Sequence, residues 1–160
     1  MPEPSAPSRP TRSRCACCQR PAGHCLCHLL PRISTRTQLL VIQHPDEQKH
    51  ALNTARLLVA GLEHAELLIT EQLSEEWCSL LLDAQWRTEL LFPGPAVPVV
   101  RAAADDPRPR RLVLLDGTWR KARKLLHMNP LLEQLPRVAL PDGLTSRYRL
   151  RKAPMAVVVN

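Results

Sequence analysis

Two groups of residues in this chain have the types and spacing that chemistry requires. The first is Cys15-Ala16-Cys17-Cys18, followed after six residues by Cys25-Leu26-Cys27. A C-x-x-C pair with a C-x-C close behind can set four thiolates around one tetrahedral Zn²⁺, and Arg20-Pro21-Ala22-Gly23 supplies the reversing turn. His24 or His28 could replace a thiolate, and a set of reduced thiols with no metal is the plainer alternative. Disulfides fit less well, because Met1-Pro2-Glu3-Pro4-Ser5 has no apolar export core. The second group is Asp116-Gly117-Thr118, a carboxylate and a hydroxyl at the end of an apolar run. Where such a run is a strand of an open α/β sheet, its carboxyl end is where ligands bind. Both residue types also cap helices.

The elements that would position these groups are legible around them. Leu112-Val113-Leu114-Leu115 reads as a fully buried strand ending in the Asp116-Gly117 turn. A helix then follows, with Trp119, Ala122, Leu125 and Leu126 on one face, and stops near Asn129 because Pro130 disfavours helical geometry before it. Thr37 to Gln43 is a second buried strand, ending at His44-Pro45-Asp46-Glu47. Residues 53–59 continue as an amphipathic helix toward Gly61. Glu66 to Thr70 reads as a strand. Ser74-Glu75-Glu76-Trp77 opens a helix that turns Trp77, Leu80, Leu81 and Ala84 inward. Glu89 to Phe92 is a short strand, residues 102–111 a polar linker, 131–135 a short helical piece and 136–140 a last strand. Alternating strands and helices predict an α/β fold with a parallel sheet.

Composition narrows the partners. Residues 1–45 carry a net charge of +5, residues 46–106 of −7 and residues 107–160 of +9, which together give the +7 of the whole chain. Two basic ends suggest a surface for a polyanion such as RNA. Phe, Tyr and Trp number only five, too few for the base-stacking platform of an RRM. There is no G-x-G-x-x-G and no G-K-[S/T], so the dinucleotide and P-loop fingerprints are missing. No apolar run is long enough to span a bilayer, and the chain reads as cytoplasmic. The expected organisation is a disordered basic leader over 1–14, a zinc-binding motif over 15–36 and an α/β domain over 37–160.

Asp116-Gly117-Thr118-Trp119, preceded by a hydrophobic strand and followed by Ala122-Arg123-Lys124, resembles the signature of the DTW-domain family. His44-Pro45 with Glu47, then Asn53-Thr54 and Arg56, resembles another of its blocks, and Ser146-x-Tyr148-x-x-Arg151 a third. The resemblance implies a SPOUT-like, knotted α/β fold and the activity of a tRNA-uridine aminocarboxypropyltransferase. It favours Cys15, Cys18, Cys25 and Cys27 as zinc ligands, leaving Cys17 and Cys78 free. It covers roughly residues 15–152. A Ser/Cys-Thr-x-Glu element and a long C-terminal helix, expected next, are replaced by residues 153–160, so the chain reads as truncated with its knot incomplete.

Such an enzyme moves the 3-amino-3-carboxypropyl group of S-adenosylmethionine to N3 of a tRNA uridine. Asp116 is the candidate general base, and Thr118 and Trp119 would shape the pocket. Asn53, Thr54, Arg56, Ser146, Tyr148 and Arg151 are the candidate cofactor or substrate contacts. The base must leave its stack, so the resemblance points to a loop uridine, position 47 of the variable loop in bacterial tRNA. The rival reading is a noncatalytic zinc-containing RNA-binding module or an inactive truncated remnant. A third, a small-molecule-binding α/β protein, would show no salt-dependent affinity for RNA.

Overall fold

The structure is a computed structural model that describes residues 13–50, 53–101 and 106–144. Five strands form one sheet: β1 (Gln38–Gln43), β2 (Ala65–Ile69), β3 (Arg87–Leu91), β4 (Arg110–Asp116) and β5 (Arg137–Val138), in the order β2-β1-β4-β3-β5. Every pairing is parallel, as the alternation of strands and helices predicts. The helices are α1 (Ala55–Ala60), α2 (Glu75–Leu81), α3 (Trp119–Met128) and α4 (Pro130–Gln134).

The chain leaves β1 toward β2 on one side and leaves β4 toward β5 on the other. Neighbouring parallel strands whose connections depart in opposite directions define a switch point, and a crevice opens at their carboxyl ends. Here that crevice lies between Gln43 and Asp116, which are register partners.

Right-handed crossovers place α2, α3 and α4 on one face of the sheet and α1 on the other. The first face is the core, where Leu40, Ile42, Leu90 and Val113 meet Leu81 of α2, Leu125 and Leu126 of α3, and Leu132 and Leu135. The opposite face carries Val41, Gln43, Leu112, Leu114 and Asp116, by the period-two alternation of β1 and β4. Leu112, Leu114 and Leu115 are only half-buried, and within the run Val113 alone is sealed. The fully buried strand expected from four consecutive apolar residues is corrected: the six-residue α1 covers little of the second face, which carries Leu112 and Leu114, and Leu115 stands near the carboxyl end of β4 on the core face.

Two other readings change. Arg110 and Arg111 belong to β4 rather than to a linker. Arg111 is buried because its guanidinium donates from Nε to Gln38 Oε1 at 2.6 Å and to the Leu80 carbonyl, and lies 4.5 Å from the Trp86 ring centroid. Helix α2 ends at Leu81, so Ala84 is exposed rather than turned inward.

Helix α3 stops as Pro130 requires, and Asn129 makes the stop specific. Its side chain accepts from Leu73 N at 2.7 Å and donates to the carbonyls of Glu71 (2.9 Å) and Leu125 (2.7 Å). One buried amide thus joins the end of α3 to the loop after β2. Asn129→Ala strands a buried N–H and two carbonyls and is expected to destabilise the fold by about 2–4 kcal/mol. The check is a fall in the urea midpoint with an unchanged m-value.

Candidate active site

The crevice is built from the ends of β1 and β4. Gln43 is fully buried, and its Nε2 donates to Asp116 Oδ2 at 2.7 Å. The Asn53 amide pairs reciprocally with the Gln43 amide, Gln43 Nε2 to Asn53 Oδ1 at 3.0 Å and Asn53 Nδ2 to Gln43 Oε1 at 3.1 Å. Asn53 also donates to the Glu47 carbonyl at 3.4 Å. The chain Asn53–Gln43–Asp116 therefore fixes one carboxylate oxygen, while no described residue donates to Oδ1. The Oδ1 of this half-buried carboxylate can accept a hydrogen bond from a ligand.

Gly117 lets β4 turn directly into α3. A Cβ there would lie 3.0 Å from the Lys121 Cβ and 3.7 Å from that of His44. Thr118 is the N-cap of α3, its Oγ accepting from Lys121 N at 3.4 Å, so capping falls to Thr118 and not to Asp116. Trp119 shares the helical face of Ala122, Leu125 and Leu126 but, unlike them, is 45% exposed. It stands in the first turn, beyond the sheet edge, with its ring edge-on to Phe92 at 5.8 Å and 79°.

Ion pairs tie the surrounding loops together. Lys121 of α3 reaches Glu47 Oε1 at 2.8 Å, and this bond holds its ammonium above its ordinary pKa. His44 Nδ1 accepts from Asp46 N at 3.3 Å, and its Nε2 lies 2.7 Å from Glu71 Oε1. Glu71 also meets Lys124 at 2.8 Å, and that ammonium holds its carboxyl below the usual range.

A hairpin closed by Arg14 and Pro21 carries Cys15 and Cys18, and the short turns that follow it bring Cys25 and Cys27 to them. The Sγ atoms of Cys15, Cys18, Cys25 and Cys27 all fall within 4.8 Å of one another, with Cys15–Cys27 at 3.7 Å and Cys18–Cys25 at 3.9 Å. Four sulfurs about 2.3 Å from a central tetrahedral ion would be about 3.8 Å apart, whereas a disulfide needs about 2 Å. Gln19 takes the left-handed φ of 59° that carries the chain around the first pair. The Arg20 N–H donated to Cys18 is the main reason that thiol falls to about 6, while burial and the neighbouring thiols push Cys27 up. The cluster holds neither four protons nor four charges comfortably, and a cation at its centre resolves both. Cys17 is exposed and Cys78 sits on α2, outside the cluster.

The family model described as the DTW domain matches residues 12–158, a wider span than the motifs alone suggested. The chain belongs to the DTW-domain family. It is 33% identical over 153 residues to the mouse protein named tRNA-uridine aminocarboxypropyltransferase 2, covering 89% of this chain and 51% of that one. The Macaca fascicularis protein of the same name is 32% identical over 151 residues, with the same coverage. Arabidopsis thaliana tRNA-uridine aminocarboxypropyltransferase A is 32% identical over 134 residues, 72% of this chain and 50% of that one. The chain thus spans about half the length of these relatives. No solved structure matches it.

Within this DTW domain the expected site residues divide. Asp116, Gly117, Thr118 and Asn53 gather at the crevice, and Trp119 stands beside Phe92, just past the end of β3. Asn53 spends its amide on Gln43 and the Glu47 carbonyl. Thr54 is exposed, with no side-chain capping bond. Arg56 lines a cavity shared with Cys18 and Arg20 on the cysteine-hairpin side. Ser146, Tyr148, Arg151 and the segment on which a knot would depend lie outside the described residues. Gln43 was missed; its signal was a lone amide closing the apolar run of β1, directly before His44-Pro45.

Proposed function

We propose that this chain is an S-adenosylmethionine-dependent tRNA-uridine aminocarboxypropyltransferase with Asp116 as its general base. The observation that supports it most is Asp116 itself: a carboxylate at the switch-point crevice, oriented by Gln43 and open at Oδ1. The names of the DTW relatives supply the reaction class and the tRNA substrate.

S-adenosylmethionine supplies the 3-amino-3-carboxypropyl group on a sulfonium, a leaving group that departs as neutral methylthioadenosine without needing a proton. The protein's own task is therefore alignment and deprotonation. Asp116 takes the proton of uridine N3, the N3 electron pair forms the new N–C bond, and the C–S bond breaks toward sulfur. Trp119, half-exposed beside Phe92, offers a flat face against which an extruded uracil can pack. Thr118 holds the first turn of α3, and with it Trp119, in place. The cysteine cluster would hold zinc as a closed structural centre, with no open position for chemistry.

The test is mass spectrometry of nucleosides from unmodified tRNA incubated with the purified chain and S-adenosylmethionine. A uridine heavier by one aminocarboxypropyl group supports the reading. A folded, metal-loaded chain that binds tRNA and yields no product overturns it in favour of a noncatalytic RNA-binding module.

A further inference from the structure

A second site lies at the seam between the cysteine hairpin and the sheet. A cavity of about 90 Å³ opens there, lined from one side by Arg14, Cys18 and Arg20 and from the other by His50, Asn53 and Arg56. Among the described residues that line it, none is acidic. Among the described residues, the buried Nε atoms of Arg20 and Arg56 have no hydrogen-bond partner. Arg14 spends one N–H on the Gln19 carbonyl at 3.0 Å, and His50 stands 3.7 Å from Glu47 Oε2.

Buried donors left unpaired are costly, and two of them on arginines that line one cavity call for an anion with several acceptor oxygens. The thiolates beside them account for part of this charge. Four thiolates around a divalent ion carry two negative charges, which three arginines exceed. The volume is well below the roughly 300 Å³ at which pockets begin to take whole small molecules, so the cavity suits one group rather than a nucleoside or a complete cofactor.

We propose that this cavity is a phosphate site that grips one backbone phosphodiester of the RNA substrate, clamped between the hairpin and the start of α1. The proposal rests on the tRNA reading above. RNA is favoured over a free anion because Arg14 and Arg20 belong to a positively charged end, residues 1–45 with a net charge of +5, in a chain of net charge +7. Asn53 connects the two sites: it lines the cavity and, through Gln43, orients Asp116. A phosphate held here would therefore set the register of a nearby nucleotide against the base.

The experiment measures tRNA affinity of the full chain by fluorescence anisotropy at several salt concentrations, for the wild type, Arg20→Gln, Arg56→Gln and Arg20→Lys. Loss of one phosphate contact is expected to weaken binding on the order of tenfold and to flatten the log–log salt slope by about 0.7–0.9. Arg20→Lys should keep most of the slope while losing affinity, because a point charge replaces the fork. Inorganic phosphate at millimolar concentration should compete for the wild type and not for Arg20→Gln.

Three results overturn the proposal: slopes that coincide for all variants, S-adenosylmethionine affinity that falls in Arg20→Gln while RNA binding holds, or loss of metal with an unchanged slope. The second would make the anion the cofactor's carboxylate, and the third would make the arginines counter-charges to the thiolates. A chain that modifies uridine while the slopes coincide sinks the phosphate site alone. A slope change with no modified uridine sinks the transferase alone.

Discussion

Asp116→Asn is expected to lower the rate of uridine modification by about 10²–10⁴ while leaving the fold and S-adenosylmethionine binding in place. The substitution separates basicity from geometry. An Asn carbonyl can still accept the Gln43 Nε2 hydrogen that Asp116 Oδ2 now receives at 2.7 Å, and helix α3 keeps its own cap in Thr118. What vanishes is the ability to take the N3 proton. Gln43→Leu should produce a smaller loss, about tenfold, because it frees the carboxylate to rotate without removing it. That loss should appear in kcat more than in KM. Single-turnover product formation, followed by mass spectrometry beside a melting curve for each variant, reads both. A fully active Asp116→Asn chain would assign the base elsewhere.

The relation of Gln43 to Asp116 also shows where the sequence stops being legible. The strand, the Asp116-Gly117 turn and helix α3 could be read because each depends on neighbours within a few residues: an apolar run, a glycine, a three- and four-residue stripe and a proline stop. Gln43 is 73 residues from Asp116, and the register that makes them partners depends on which parallel strands come to lie side by side. No local pattern carries that information. The exposure of Trp119 is not legible for a related reason. A helical stripe identifies the face a residue shares but not where the sheet beneath it ends, and the first turn of α3 overhangs that end. Arg111 read as linker because charge seldom lies inside a strand. Only the assembled fold supplies Gln38, the Leu80 carbonyl and the Trp86 ring to satisfy it. The cysteines were legible because their ligand spacing is local, and the same four sulfurs converge in the structure.

Removing that centre should have the second large effect, confined to one part of the chain. Purified protein is expected to carry one zinc per chain by elemental analysis, and Cys18→Ser or a strong chelator should remove it. Structural zinc in small cysteine motifs is worth about 10–16 kcal/mol of binding free energy, which is also the free energy holding such motifs folded. The hairpin has little else to hold it, with short hydrogen-bonded turns and one buried residue, Cys18 itself. The sheet core draws none of its buried residues from before Leu40. Metal loss should therefore expose Arg14 and Arg20 to trypsin while the far-ultraviolet circular dichroism of the sheet and helices is largely kept. Cys78→Ser, which alters a thiol on α2 outside the cluster, should leave the zinc content unchanged. If Arg20 supplies a phosphate contact, zinc-free protein should also show the flatter salt slope of Arg20→Gln, since the hairpin that aims Arg20 into the cavity would no longer hold it there. A metal-free chain whose hairpin resists trypsin as well as the loaded one would show that the four thiols are held together by the fold and not by an ion.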